Sequence, residues 1–128
     1  MSQALEETVN KEIVQRMVNA FYAKIIKDPL VGPFFTDRFG DDIEGKVWKE
    51  HLVLLGNYWS MLMLGESDYH GRPMAPHFEM HGISRKAFEQ WLFLFHETVD
   101  EIYIPKIGEY FKNQSDDVAR RFMLNLGL

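Results

Sequence analysis

The chain has no cysteine. That one absence excludes disulfide scaffolds, thiolate zinc sites, iron–sulfur clusters and cysteine nucleophiles together, and with them the C-x-x-C-H attachment of a covalently bound haem. Positive charge is also in short supply: 14 Lys and Arg stand against 19 Asp and Glu, for a net charge of −5. A surface of that sign repels phosphate backbones, and no basic run interleaved with aromatics appears, so no nucleic-acid partner is expected. Long apolar runs are missing too. The longest, Leu52 to Leu64, is interrupted by Gly56, Asn57 and Ser60 and is too short to span a bilayer, so no membrane partner is expected either. The opening MSQALEETVNKE is acidic and polar where a secretory signal is basic and then apolar, which points to the cytoplasm. Gly40 to Lys46 has the G-x-x-x-x-G-K spacing, but Val47 follows where a phosphate loop needs Ser or Thr, and no G-x-S-x-G nucleophile elbow occurs, so nucleotide and hydrolase chemistries lose their usual support.

What the chain does have is aromatic side chains. Phe, Tyr and Trp make up 14% of its 128 residues, enough flat surface to line a site for a planar ligand, or simply to fill the core of a short chain. Length and composition suit a single folded domain over residues 1–128 with one continuous core.

Apolar periodicity predicts an all-α fold. From Asn10 to Ile26 the residues Ile13, Val14, Met17, Val18, Phe21, Tyr22, Ile25 and Ile26 recur at spacings of three and four, with Asn10 as the N-cap. Asp28-Pro29 ends that helix, and Gly32-Pro33 reads as a turn before Phe34 and Phe35. A second helix is predicted from about Ile43 to Leu64, with Asp41 or Asp42 at its start and Gly65 at its end. Its inward column is Val47, Trp48, His51, Leu52, Leu55, Tyr58, Trp59, Leu62 and Met63. After a loop comes a short helical stretch near Ala75 to His81. Ser84 then caps a third long helix that buries Phe88, Trp91, Leu92, Phe95, Val99 and Ile102. Pro105 opens the last, with Ile107, Phe111, Val118, Phe122 and Leu126 inward. No alternation of period two reaches useful length.

Five histidines remain to be weighed. His77 and His81 have the spacing of two zinc ligands on one helix face, but no third ligand accompanies them. His96-Glu97-Thr98-Val99-Asp100 departs from the metalloprotease pattern at Asp100, and no Glu-x-x-His of the di-iron kind occurs. His51 falls in an apolar column, where an imidazole needs a partner; it is either a satisfied core histidine or a functional one. One imidazole on a short helix above apolar walls suffices for haem, because the porphyrin already supplies four nitrogens. His77, after Pro76 and between two long helices, is the best candidate for that single donor.

The strings Phe21-Tyr22, Gly32-Pro33-Phe34-Phe35, Trp48-Lys49-Glu50-His51, Gly56-Asn57-Tyr58-Trp59, Gly65-Glu66-Ser67-Asp68-Tyr69 and Phe88-Glu89-Gln90-Trp91-Leu92 resemble those of the bacterial group III truncated haemoglobins. The likeness runs from about residue 10 to 125, in order and with few gaps. The resemblance implies a truncated two-over-two helical sandwich around one non-covalent b-type haem. By matching position, it implies His77 as the proximal iron ligand, Tyr22 as the distal tyrosine, His51 at the distal helix position and Trp91 as the distal tryptophan. Phe35, with Phe34 beside it, matches the phenylalanine that stacks on the haem. The lack of a Gly-Gly pair between the first helices agrees with group III. His70, His81 and His96 match no ligand position and are expected at the surface.

The function so implied is reversible binding of O2, and of NO or CO, at a penta- or hexacoordinate iron. Tyr22 donates through its O–H and Trp91 can only donate, so two donors would meet one partly anionic ligand and slow its release. The alternative is an enzyme that detoxifies nitric oxide or peroxide with an external electron-donating reductase. A purely structural helical domain would leave Tyr22, His51 and Trp91 unexplained together.

Overall fold

Asn10 starts the first helix by the chemistry its side chain offers: its carboxamide oxygen accepts the Ile13 N–H at 2.9 Å, satisfying a donor that has no partner inside the helix. A computed structural model of the chain describes residues 4–65 and 83–128. Among these, helix α1 spans Lys11–Ile25, α2 Gly32–Phe39, α3 Lys46–Leu64, α4 Arg85–Ile102 and α5 Pro105–Asn125. The described residues contain no strand, only an isolated parallel bridge between Glu6 and Tyr103. There the Glu6 N–H donates to the Ile102 carbonyl at 2.7 Å and the Ile104 N–H to the Glu6 carbonyl at 3.1 Å, tying the N-terminal segment to the junction of α4 and α5.

The other local signals act as expected. Ser84 Oγ accepts the Ala87 N–H at 3.2 Å and opens α4, Gly65 ends α3 in the left-handed region at φ 72°, and Pro105 sits in the first turn of α5. The short helix expected near Ala75 to His81 lies outside the described residues.

Gly32-Pro33 is not a turn. It opens α2, since a proline in a first turn lacks only an N–H that would have no partner there. The change of direction comes earlier, at Asp28, whose carboxylate accepts the N–H groups of Leu30 at 3.0 Å and Val31 at 2.8 Å and the Gln90 amide of α4 at 2.9 Å. Glycine at position 32 is then required by close approach. A Cβ there would lie 2.9 Å from the Ile25 carbonyl oxygen and 3.1 Å from that of Ile26, both backbone atoms of the preceding helix end. Gly32→Ala should therefore destabilise the fold by about 1–3 kcal/mol; a urea midpoint equal to wild type would contradict this account.

The start of α3 also differs from expectation. Gly45 stands at its N-cap, while Asp42 organises the preceding turn, accepting the Glu44 N–H on its side chain at 3.1 Å and the Gly45 N–H on its carbonyl at 2.9 Å. Val47, expected inward, is 54% exposed. The buried line of α3 runs through Trp48, Leu52, Gly56 and Trp59, and Val47 is one residue, or about 100°, off it.

The helices form two layers. α1 packs on α3, α4 packs on α5, and α1 rests across α4, the two-over-two sandwich expected. Phe95, fully buried, joins the layers: Trp59 of α3 stacks on it at 4.7 Å, Trp91 of α4 at 5.6 Å, and Phe21 of α1 meets it edge-on at 5.1 Å. At the rim, Lys24 of α1 pairs with Glu97 and Glu101 of α4. Burial alone would lower the Lys24 pKa, but the hydrogen bonds and charges of the two carboxylates outweigh it and raise the pKa, so the ammonium stays charged. His96, expected at the surface, is half-buried and bonds Asp116 of α5 at 3.0 Å. No helix among the described residues is long and apolar enough to cross a membrane.

Candidate functional site

Periodicity sends Tyr22 inward from the last turn of α1, and the site grows around it. The Tyr22 ring meets Phe35 of α2 edge-on at 5.5 Å, and lies 6.0 Å from Trp48 and 6.1 Å from His51, both of α3. Trp48 and His51, three residues apart on one helical face, are themselves edge to face at 5.7 Å. Phe39, the last residue of α2, lies flat against His51 at 4.1 Å with only 22° between the planes. Trp91 enters from α4, its ring 5.2 Å from Phe21. Three long helices and the short α2 thus each place an aromatic group in one cluster.

The polar atoms in this apolar setting are what give it chemistry. Burial pushes the Tyr22 phenol well above its ordinary pKa, and Trp91 offsets only part of that shift. Tyr22 therefore keeps its proton and can donate it. The Trp91 indole N–H is buried near the Tyr22 oxygen, but among the described residues it has no hydrogen-bond acceptor of good geometry. A donor left in that state costs on the order of 1–3 kcal/mol, so its presence calls for a reason. Among the described residues no group of three or more His, Cys, Asp or Glu side chains is placed to hold a bare metal ion.

Compared with curated proteins, the chain is 34% identical over 116 residues to the group 3 truncated haemoglobin of Campylobacter jejuni, a match covering 91% of this chain and 90% of that protein. The chain belongs to the group III truncated haemoglobins. Its fold also matches the crystal structure of a group III truncated haemoglobin from Campylobacter jejuni with a TM-score of 0.89, at 32% identity, over 96% of this chain and 95% of that one. No protein-family model matches it.

Within this truncated haemoglobin, four residues singled out in the sequence, Tyr22, Phe35, His51 and Trp91, come together from four different helices. Phe34 does not join the ring cluster. It is half-buried at the edge of the core, while Phe35, only 3% exposed, makes the contact with Tyr22. His77, His70 and His81 lie outside the described residues. Two residues of the cluster went unassigned in the sequence. Periodicity places Trp48 inward without assigning it a role, and its indole N–H donates to the Gly40 carbonyl at 2.7 Å. Phe39 lay hidden beyond a supposed turn; once 32–39 is helical, its spacing of four from Phe35 puts both rings on one face.

Proposed function

We propose that this truncated haemoglobin holds a non-covalent b-type haem through His77 and reversibly binds a diatomic ligand, O2, NO or CO, among Tyr22, His51 and Trp91. The observation that carries the reading is the Trp91 N–H: a buried donor without an acceptor of good geometry among the described residues, beside a phenol that burial keeps protonated. Such a pair fits a site whose acceptor arrives as a ligand. When bound, haem would supply an iron able to take a side-chain donor, here His77, and a small gas. The absence of cysteine, which rules out thioether attachment, supports a non-covalent haem. Phe35 supplies an apolar wall, with Phe34 at its margin, and the surrounding rings exclude water, which strengthens each hydrogen bond inside.

The chain's part in binding is to donate. Indole N–H has no acceptor capacity, so Trp91 acts only on the ligand's acceptor atoms, and the Tyr22 O–H is free to do the same. A hydrogen bond to a partly charged acceptor contributes about 1.5–3 kcal/mol, equivalent to roughly tenfold to a hundredfold in ligand release. Trp91→Phe, which keeps a ring against Phe95, should therefore speed O2 dissociation by about tenfold or more in stopped-flow measurements. An unchanged rate would remove the observation on which the reading rests. Titration of the purified chain with haem provides the prior test: a Soret band that saturates at equimolar haem is expected, and its absence would overturn the proposal.

A further inference from the structure

We infer that Phe39 is a positioning residue that clamps the His51 imidazole and so controls how that side chain meets an incoming ligand. The inference deepens the haem-binding reading above and rests on it. Among the rings around His51, Trp48 at 69° and Tyr22 at 77° present edges, whereas Phe39 alone of the three lies nearly parallel, covering one imidazole face at 4.1 Å. An imidazole bounded in this way on a face and two sides has one preferred orientation, which Phe39 does most to define.

Phe39 is itself held. It is followed by Gly40, which turns the chain at φ 85° and whose N–H closes α2 on the Thr36 carbonyl at 2.8 Å. The Gly40 carbonyl accepts the indole N–H of Trp48 at 2.7 Å, and Trp48 is wholly buried. The end of α2 is thereby fastened to α3 one turn before His51. Arg38 adds its guanidinium over the Phe39 ring at 5.8 Å. One hydrogen bond thus fixes a helix end, the helix end presents a flat ring, and the ring biases the imidazole toward one of its side-chain orientations. A stacked pair of this kind shifts such a balance by about twofold to tenfold.

The experiment uses the full chain in two arms. In the haem-free protein, the His51 ring protons should resonate upfield of an exposed histidine because they lie over the Phe39 ring. They should move back in Phe39→Leu, which keeps an apolar side chain at the end of α2, and stay upfield in Phe39→Tyr. In the haem-loaded protein, CO rebinding after flash photolysis should change by about twofold to tenfold in Phe39→Leu, and the change should vanish when His51→Ala is added, since coupled residues do not act additively. His51 resonances that do not respond to Phe39→Leu would overturn the clamp. Resonances that move with no change in CO rebinding, or a change that survives without His51, would overturn its link to the ligand. Failure to take up haem would sink the haem reading, while the ring clamp would still be decided by the resonances alone.

Discussion

Phe95→Ala is expected to cost about 3–5 kcal/mol of folding stability, a large share of the roughly 5–15 kcal/mol that holds a domain of this kind together. Phe95 is completely buried, nearly parallel to Trp59 at 4.7 Å and to Trp91 at 5.6 Å and edge-on to Phe21 at 5.1 Å. Trp59, Trp91 and Phe21 belong to α3, α4 and α1, so the ring touches both layers. Truncation removes apolar area from burial and leaves a hole beside two tryptophans and Phe21, which close it only if the helices carrying them move. Relaxation is correspondingly limited, which places the cost at the upper end for core deletions. The same hole loosens Trp91, so ligand release should quicken along with the loss of stability. Urea unfolding of wild type and variant checks the first effect. A loss below about 1 kcal/mol would mean that the site refills and that the aromatic stack does not join the layers.

His77→Ala is expected to abolish stoichiometric haem uptake. On the proposed reading this residue supplies the one coordinate bond between chain and iron, and the remaining attachment is hydrophobic contact with rings such as Phe35. The rings give the ligand a place but do not fix it there, and an apolar slot admits haem in more than one orientation. Titration of the variant should give a broad, unsaturating band where wild type gives a sharp one. Free imidazole, which replaces the missing donor without restoring its tether, should recover the sharp band in part. Full stoichiometric uptake by the variant with an unaltered spectrum would assign the axial position to another residue and overturn the role of His77.

Much of this fold was legible because its signals are local. Asn10 and Ser84 are N-caps by virtue of their own side chains, Gly65 ends α3 because it alone among residue types enters the left-handed region without strain, and three-and-four periodicity separates inward from outward on the long helices. Tyr22, His51 and Trp91 were readable as polar rings on the inward faces. The short helix α2 was not. Gly32-Pro33 suits a turn and a helix start equally, and the choice depends on the Ile25 and Ile26 carbonyls that leave room only for glycine and on an Asp28 carboxylate that makes the turn before it. Missing that helix hid Phe39. The exposure of Val47 shows the same limit at finer scale, since an apolar residue next to a buried line cannot be assigned by type alone.

By itself, the amino-acid sequence determined that this protein is all-helical, where α1, α4 and α5 begin, most of the inward positions on the long helices and which polar rings those positions carry. Periodicity and capping depend on neighbours within one turn, so no folded partner is needed to read them. Only the tertiary structure decided that Phe35 and not Phe34 meets Tyr22, that Phe39 lies flat on His51, and that the Trp91 N–H is buried with no acceptor of good geometry among the described residues. Each of these depends on how separate helices settle against one another, and that is set by close packing across the whole core.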